Sequence, residues 1–559
     1  MDHDDHTVDA GRDFQTDEVM SSFNMLNKSL PSAFSKRWIS LGAIIAAGIL
    51  FAFMKLNGTH IDQTLWAEDG RVFINQAREF GVSSLWTTYA GYFHLYPRLV
   101  AWLSTLYDLQ QTPLVFLSAW FLAYASLIYV AANRALHYGF KPAGAGLLVL
   151  LMLAQPHSGE VFFNLTNAQW FMGGALAIYL LVPIKDSSSI YEKGILLLAS
   201  LTGPFSLILM PILLMHLVIY RDWKDRKYIY IIVGVGALVQ ITAIFLSNRL
   251  SGGSFDKDVS HWMTVFLNFI SFGNTSAIAK AASILFWATT AYAFAVNTDK
   301  KLNRRYDSLG IVFLSLLAGA ILFFVAGLLA SKANPHWLSP LGGGARYFFI
   351  PYLLIFFASG LAVLKLPKLK YLVYGALTVL SVTSFSVFQR SDLQFKAYVE
   401  FARIKSDIFI PIQPKREAFP SWSIHLSNRS ESLNKKSADQ ISLGLEDANM
   451  LNIINSKDGF SSLNKDPQLT FGIGERCSHT RYLGVEIHIT RPEGGWVQLF
   501  WSERGNFSEP DSLRRYYPAG DAVVQFALPR KNIKYLRFDP LEKRSQFYIN
   551  AVNLYCLGD

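Results

Sequence analysis

Between Ile39 and Val387 the chain is a succession of apolar runs, and that succession limits what it can fold into. A helix of about 20 apolar residues matches the hydrocarbon width of a bilayer. In that medium each backbone N–H and C=O must be bonded within the protein, which for runs of this length means helices. After Ile39–Met54 the runs fall at His94–Tyr107, Pro113–Ala132, Ala143–Ala154, Ala168–Pro183, Gly194–Leu201 and Phe205–Tyr220. They continue at Tyr228–Leu246, Ala277–Val296, Ile311–Ala330, Ala345–Leu364 and Leu372–Val387. Several are too short for a straight crossing and are expected to be tilted, broken or partly inserted. The expected number of spans is about 10 to 12.

Composition agrees. Only 16% of the 559 residues are charged and 51% are hydrophobic, whereas soluble domains carry about 25% charged residues. The net charge of +10 could suit nucleic acid. The basic residues, however, gather at the ends of apolar runs, as membrane anchors do. The implied partner is the lipid bilayer, with no nucleic acid.

The polar start "MDHDDHTVDAGRDFQ" has no apolar core of a cleaved signal peptide. Residues 1–37 are expected to be a cytoplasmic tail, and Ile39–Met54, after Lys36 and Arg37, an uncleaved signal anchor. The clusters "RDWKDRK" (221–227), "DKKLNRR" (299–305) and "KLPKLK" (365–370) mark cytoplasmic loops. The loops "SNRLSGGSFDKDVSHW" and "SKANPHWLSPLGGGARY" then lie outside, with the C-terminal region. Strict alternation conflicts with the basic cluster Arg134–Lys141. A short helix over 94–107 that does not cross would remove the conflict.

From about Ser391 the composition turns soluble. The polar stretch "NRSESLNKKSADQ" precedes period-two segments: "YLGVEIHIT", "WVQLFWSE", "AVVQFALP", "KYLRFDP" and "FYINAVNLYC". Short strands between Gly, Pro, Asp and Asn turns predict a β-sandwich of jelly-roll type. The two cysteines, Cys477 and Cys556, both fall here. A single pair in one soluble domain reads as a disulfide in an oxidising compartment; the alternative is two unpaired core cysteines. The division is thus 1–37 tail, 38–390 membrane domain with a first external loop at 55–93, and 391–559 external β-rich domain.

Four constellations carry candidate chemistry. The first is "LWAEDGRVF", where Glu68 and Asp69 follow the first span. After it, Val72, Phe73, Ala77 and Phe80 recur at helical spacing, as in an amphipathic helix lying on a membrane surface. A carboxylate there can act as general base toward a sugar-acceptor hydroxyl, and desolvation would raise its pKa toward that task. The alternative is a solvated turn. The second is "YAGYFHLYPRL", where His94 and Arg98 share a helix face and Arg98 could grip a lipid phosphate or simply snorkel. The third is "PHSGEVFFNLTNAQW": Glu160, Asn167 and Trp170 suit sugar recognition, or form an interfacial belt. The fourth is "LGGGARYFFIPY", where glycines expose backbone before Arg346 and Tyr347 and let an anion approach. "SLTGPFSL" breaks an apolar stretch and could line the same cavity. Zinc, P-loop, dinucleotide, GxSxG and CxxC signatures are absent from the sequence.

Taken together, "WAEDGRVF", "AREFG", "YAGYFHLYPRL", "TNAQW", "TGP" and "GGARYFFIP" resemble the polytopic GT-C glycosyltransferases, in particular a bacterial envelope branch. The resemblance covers most of residues 39–390. It implies a first-loop carboxylate as base, Asp69 with Glu68 as runner-up, and a polyprenyl-phosphate-sugar donor whose phosphate meets Arg98 or Arg346. It also implies a glycan or glycolipid acceptor of the cell envelope, which the β-domain could orient. The protein would be a multi-pass bacterial inner-membrane enzyme with a periplasmic C-terminal domain. No cofactor is required by this reading, although some members of the class use a divalent metal. The rival readings are a transporter or flippase of lipid-linked sugars, an O-antigen-type polymerase or ligase, and a glycan sensor.

Overall fold

The computed structural model describes residues 32–56, 61, 64–184, 189–247, 254–297, 309–388, 390, 392–414, 422–426, 438–456 and 459–558. The expected tail up to residue 31, the basic stretch 299–305 and residues 428–437 of the polar stretch lie outside the described residues.

The first part is helical. Its helices are α1 (Ser32–Met54), α2 (Asn75–Phe80), α3 (Leu95–Ser104), α4 (Thr112–His137), α5 (Pro142–Leu153), α6 (Leu165–Leu181) and α7 (Ile190–Ser200). They continue with α8 (Phe205–Tyr220), α9 (Trp223–Leu246), α10 (Val259–Ile270), α11 (Ala277–Asn297), α12 (Leu309–Ala330), α13 (Arg346–Val363), α14 (Pro367–Thr383) and α15 (Phe395–Ala402). Among the described residues six helices are long and apolar enough to cross a membrane: Lys36–Met54, Leu109–His137, Trp223–Leu246, Ala277–Val296, Leu309–Ala330 and Arg346–Val363. Shorter apolar helices occupy Pro142–Leu153, Phe205–Tyr220 and Val259–Ile270. The chain thus has the character of a multi-pass membrane protein.

The short α3 removes the conflict over loop orientation. Its 10 residues extend about 15 Å, half of a hydrocarbon core of about 30 Å. α1 and α4 then run antiparallel as successive long helices. Arg37, at the start of α1, donates to Asn133 Oδ1 near the end of α4 at 2.5 Å. The Tyr124 hydroxyl donates to the Gly48 carbonyl at 2.8 Å. The cluster Arg134–Lys141 therefore shares an end with Lys36 and Arg37. At that end Arg134 is buried, paired with Glu192 at 3.2 Å and stacked over Tyr179.

α6 and α13 form the centre of the bundle, and most of their residues are buried. An aromatic cluster of Trp120, Tyr124, Phe162, Phe163 and Phe171 fills the end where α4 meets α6. The Trp120 indole N–H is satisfied by the Val161 carbonyl.

The C-terminal part is a β-sandwich. Its strands are β1 (Ile408–Pro411), β2 (Ser423–Leu426), β3 (Gln440–Leu443), β4 (Asn449–Leu451), β5 (Ile453–Ser456), β6 (Gly459–Ser462) and β7 (Gln468–Gly472). The rest are β8 (Tyr482–Arg491), β9 (Gly495–Ser502), β10 (Ser512–Tyr517), β11 (Gly520–Pro529), β12 (Tyr535–Asp539) and β13 (Gln546–Leu557). One sheet runs β10-β9-β12-β7-β4 and the other β11-β8-β13-β6-β5, with β3 on β13. The five segments expected as strands are β8, β9, β11, β12 and β13. Their inward residues, among them Val485, Ile487, Leu499, Phe526, Phe538 and Leu554, form one core between the sheets. β1 and β2 form a separate antiparallel hairpin.

Helix α15 joins the two parts. Phe401 packs on Gly484 and Tyr555, and the Tyr398 hydroxyl donates to the Gln525 carbonyl. On its other side Glu400 accepts from Gln110, and Arg403 pairs with Asp108. Apolar packing is continuous from the helices to Ala527, Tyr555 and Leu557.

Cys477 and Cys556 are joined by a disulfide that closes 79 residues of sequence. A loop of that size constrains the unfolded chain by about 4 kcal/mol. Cys556→Ser is expected to lower the unfolding midpoint of the β-sandwich by an equivalent of about 2–5 kcal/mol. The far-ultraviolet helical signal of the membrane part should be unchanged in the same melt, and a shift of under about 0.5 kcal/mol would count against it.

Candidate functional site

The turn Trp66–Ala67–Glu68–Asp69 is shaped by a neighbour remote in sequence. Ala67 N donates to the Gln413 carbonyl, and Gln413 N donates to the Leu65 carbonyl at 2.9 Å. This short ladder holds Ala67 at φ 39°, a left-handed conformation that costs a side-chain-bearing residue roughly 1–2 kcal/mol. Ile412 and Ile424, from the β1–β2 hairpin, close over Gly70 so tightly that a Cβ there would meet Ile412 at 2.5 Å. Past the turn the chain coils as a π-helical turn (Asp69–Ile74), α2, and a 3-10 turn (Gly81–Trp86). The amphipathic helix expected after Gly70 is thus present as three joined turns that begin at Asp69.

Glu68 and Asp69 are adjacent in sequence but face different surroundings, because successive residues in a helical turn point about 100° apart. Asp69 is 1% exposed. Its Oδ1 accepts from the Thr166 N–H at 2.7 Å and the Thr166 hydroxyl at 2.5 Å, and its Oδ2 from the Leu165 N–H at 3.1 Å. Those amides open α6, where a helix leaves its first N–H groups without internal partners. Asn164 caps the next amide, Asn167 N, at 2.9 Å. Asp69 therefore closes a helix start from another segment, and the positive end of the helix favours its charge. Burial outweighs these bonds and pushes its pKa up to about 6.

Glu68 is half-buried and accepts from the Tyr89 hydroxyl at 3.1 Å. Burial and the Glu68 charge raise the pKa of Tyr89, while Arg346 and Arg71 oppose the shift. Arg346 also interacts electrostatically with Glu68. Its guanidinium forms an ion pair with Glu160 and lies over the Tyr347 ring. Both members of the pair stay partly exposed, at 31% and 21% of their side chains. Trp170 packs edge-on against Tyr347 and Phe205, and its indole N–H has no hydrogen-bond partner. Glu68, Tyr89, Glu160, Arg346, Tyr347 and Trp170 are thus linked by contacts that join the first loop to the starts of α6 and α13.

The other expected residues build the support. His94 Nε2 lies 3.1 Å from the Tyr89 carbonyl, with its ring among Phe73, Tyr89 and Tyr92. It steadies the loop that presents Tyr89. Arg98 is 1% exposed. It donates to the Ser84 carbonyl at 3.0 Å and the Thr88 carbonyl at 3.4 Å, and stacks on Phe73. The grip expected on a lipid phosphate is made on backbone carbonyls, which offset the cost of burying the charge. Asn167 is also buried and donates to the Glu160 carbonyl at 2.9 Å. The glycines before Arg346 serve a fold as well: a Cβ on Gly343 would meet the Trp337 ring at 2.4 Å, and Gly344 has φ +64°.

Two contributors escaped the sequence reading. Tyr89 stands within a quoted motif but carries no charge to mark it. Arg390, read as the last residue before the soluble domain, is buried and donates to the Phe163 and Phe162 carbonyls at 3.0 and 3.2 Å. It stacks over Trp66 at 5.0 Å and feels the charge of Asp69. Its position beside an apolar run gave no sign of this. Away from this site, Asp256, His261 and His336 are the group of His, Cys, Asp or Glu side chains among the described residues close enough together to hold one metal ion.

No protein-family model and no curated protein sequence matches the chain. Among solved structures, it is similar to the Archaeoglobus fulgidus oligosaccharyltransferase in complex with Zn and sulfate, at 11% identity and a TM-score of 0.34. That match covers 64% of this chain and 55% of the oligosaccharyltransferase, so it spans little more than half of that protein's length. A second similarity is to a family GH115 4-O-methyl-α-glucuronidase with specificity for decorated arabinogalactans, at 11% identity and a TM-score of 0.16. It covers 50% of this chain and 40% of the other. Neither overlap is extensive enough to bear on the chemistry of the site.

The two carboxylates should separate in stability measurements. Asp69→Ala strands three buried donors and is expected to cost about 3–5 kcal/mol, whereas Glu68→Gln should stay within about 1 kcal/mol of wild type. The pH dependence has a definite sign. Asp69 is raised from 3.8 to about 6, so the folded state binds the proton more tightly than the unfolded chain. Its contribution to stability falls as pH rises from about 4 to about 6 and is flat above. Asp69→Asn should remove that slope, and denaturant midpoints taken across this interval test it.

Proposed function

We propose that the chain is a glycosyltransferase of the GT-C type, with Glu68 as the base. It would move a sugar from a polyprenyl-phosphate donor to an envelope glycan or glycolipid acceptor. The observation that carries this reading is the division of labour in the first loop. Asp69 is enclosed by the start of α6, while Glu68 remains half-exposed beside Tyr89 and the Arg346–Glu160 pair. This moves the base from Asp69, the sequence-based choice, to Glu68.

In the proposed step an acceptor hydroxyl oxygen attacks the sugar's anomeric carbon and gives its proton to Glu68. The bond from that carbon to the phosphate oxygen breaks, and the polyprenyl phosphate leaves with the electron pair. Arg346 faces the charge that builds on the phosphate, and fixed positive charge there lowers the barrier. Glu160 holds the guanidinium in place between turns. Trp170 and Tyr347 offer aromatic faces for the sugar. The lipid tail would lie along the apolar helices, with the β-sandwich on the periplasmic side of a bacterial inner membrane. The step as written draws only on protein groups, and turnover after chelation reads whether a divalent ion takes part.

The test follows labelled sugar from a panel of polyprenyl-phosphate donors to an envelope glycan extract. Glu68→Gln is expected to lose about 10²–10⁴-fold in turnover with an unchanged melting temperature. Arg346→Gln should lose turnover by a similar order, because a fixed charge at the leaving group is removed. Full activity in Glu68→Gln, with loss in a folded Asp69→Asn, would return the base to Asp69. Absence of transfer by wild type with every donor would overturn the reading in favour of a carrier of lipid-linked sugars.

A further inference from the structure

A second cluster of chemistry lies where the loop before α10 and the first turn of that helix meet the loop between α12 and α13. His261 Nδ1 is 2.7 Å from Asp256 Oδ2. The His261 and His336 ring centroids are 4.9 Å apart, with their planes at 47°. One ligand atom from each of Asp256, His261 and His336 can be chosen so that all lie within 4.8 Å of one another. Asp258 adds a carboxylate at the edge, with Oδ2 3.7 Å from His261 Nε2.

The backbone around the cluster is held in place. Asp256 N donates to the Lys332 carbonyl at 2.8 Å, which ties the first loop to the second. The Trp262 indole donates to the Asp256 carbonyl at 3.0 Å. Asp256 Oδ1 accepts from Asp258 N at 2.9 Å, which leaves Oδ2 facing His261. His336 sits in the short 3-10 turn Pro335–Trp337, over which Gly343 and Gly344 fold on the way to Arg346.

From this geometry we infer that Asp256, His261 and His336 form a binding site for a divalent transition-metal ion of the zinc class. Two imidazoles and a carboxylate suit zinc and its first-row neighbours; magnesium and calcium favour all-oxygen shells. Ligand atoms around a tetrahedral ion at about 2.0–2.1 Å lie a little over 3 Å apart, which small side-chain rotations reach from the observed spacing. The ion takes the place of the proton between His261 and Asp256 and draws in His336. It would clasp the loop before α10 to the loop that leads into α13. This inference does not depend on the glycosyl-transfer reading, because it concerns different side chains and is read by binding.

The test uses the full chain in detergent, without a polyhistidine tag and stripped with a chelator. Zinc uptake is measured by calorimetry, and cobalt uptake by its visible absorption. The expected result is saturable uptake of one ion per chain, with a raised melting temperature. His336→Ala, at an exposed position, should weaken affinity more than about tenfold while the metal-free variant melts as wild type does. His261→Ala should do the same. His425→Ala is the control; that histidine pairs with Asp407 in the β1–β2 hairpin, and its loss should leave uptake unchanged. No saturable uptake by wild type, or uptake that His261→Ala and His336→Ala both retain, would overturn the inference and leave His261 and Asp256 as a simple ion pair.

Discussion

The contact on which the site depends is the closure of α6 by Asp69. A helix start inside a protein exposes amide groups that must find acceptors, and here one carboxylate from the first loop takes two amides and a hydroxyl. Hydrogen bonds to a charged group of this kind are worth about 1.5–3 kcal/mol each. The arrangement fixes the first loop against the bundle. It also fixes which way the next carboxylate turns. Glu68 has its place beside Tyr89 because Asp69 is anchored behind it.

The soluble part takes a share in this. Gln413 pairs with the backbone at Leu65 and Ala67, and Ile412 and Ile424 cover Gly70. Arg390 lies between the two parts, bonded to the Phe162 and Phe163 carbonyls and stacked on Trp66. The β1–β2 hairpin is thus part of the wall of the first loop, although its sequence lies within the externally assigned domain. The boundary at residue 390 separates two compositions, while the packing crosses it.

Much of the architecture was legible in the residues. The period-two segments became β8, β9, β11, β12 and β13, because alternation of apolar residues specifies which face of a strand is buried. The long apolar runs became helices, since a helix bonds the backbone of such a run within the run itself. The site was legible only in its neighbourhood. "WAEDG", "TNAQW" and "GGARY" do meet in space, yet Arg98 and Asn167 turn inward to carbonyls, and Glu160 pairs with Arg346. A polar residue beside an apolar run has the same sequence signature whether it faces a substrate or an orphaned backbone group.

By itself the sequence determined the two-part organisation, the helical and strand segments, and the region where carboxylates and an arginine gather. These follow from local periodicity and from the requirement that buried backbone be bonded. Tertiary structure alone decided that Asp69 is enclosed by the start of α6 while Glu68 stays half-buried beside Tyr89. It also brought Arg390 to Trp66, set the Gln413 ladder on the first loop, and placed His336 beside His261. Such choices depend on contacts between segments far apart in the chain. Burial and orientation of a side chain are set by what packs against it, and neighbouring residues in the sequence do not carry that information.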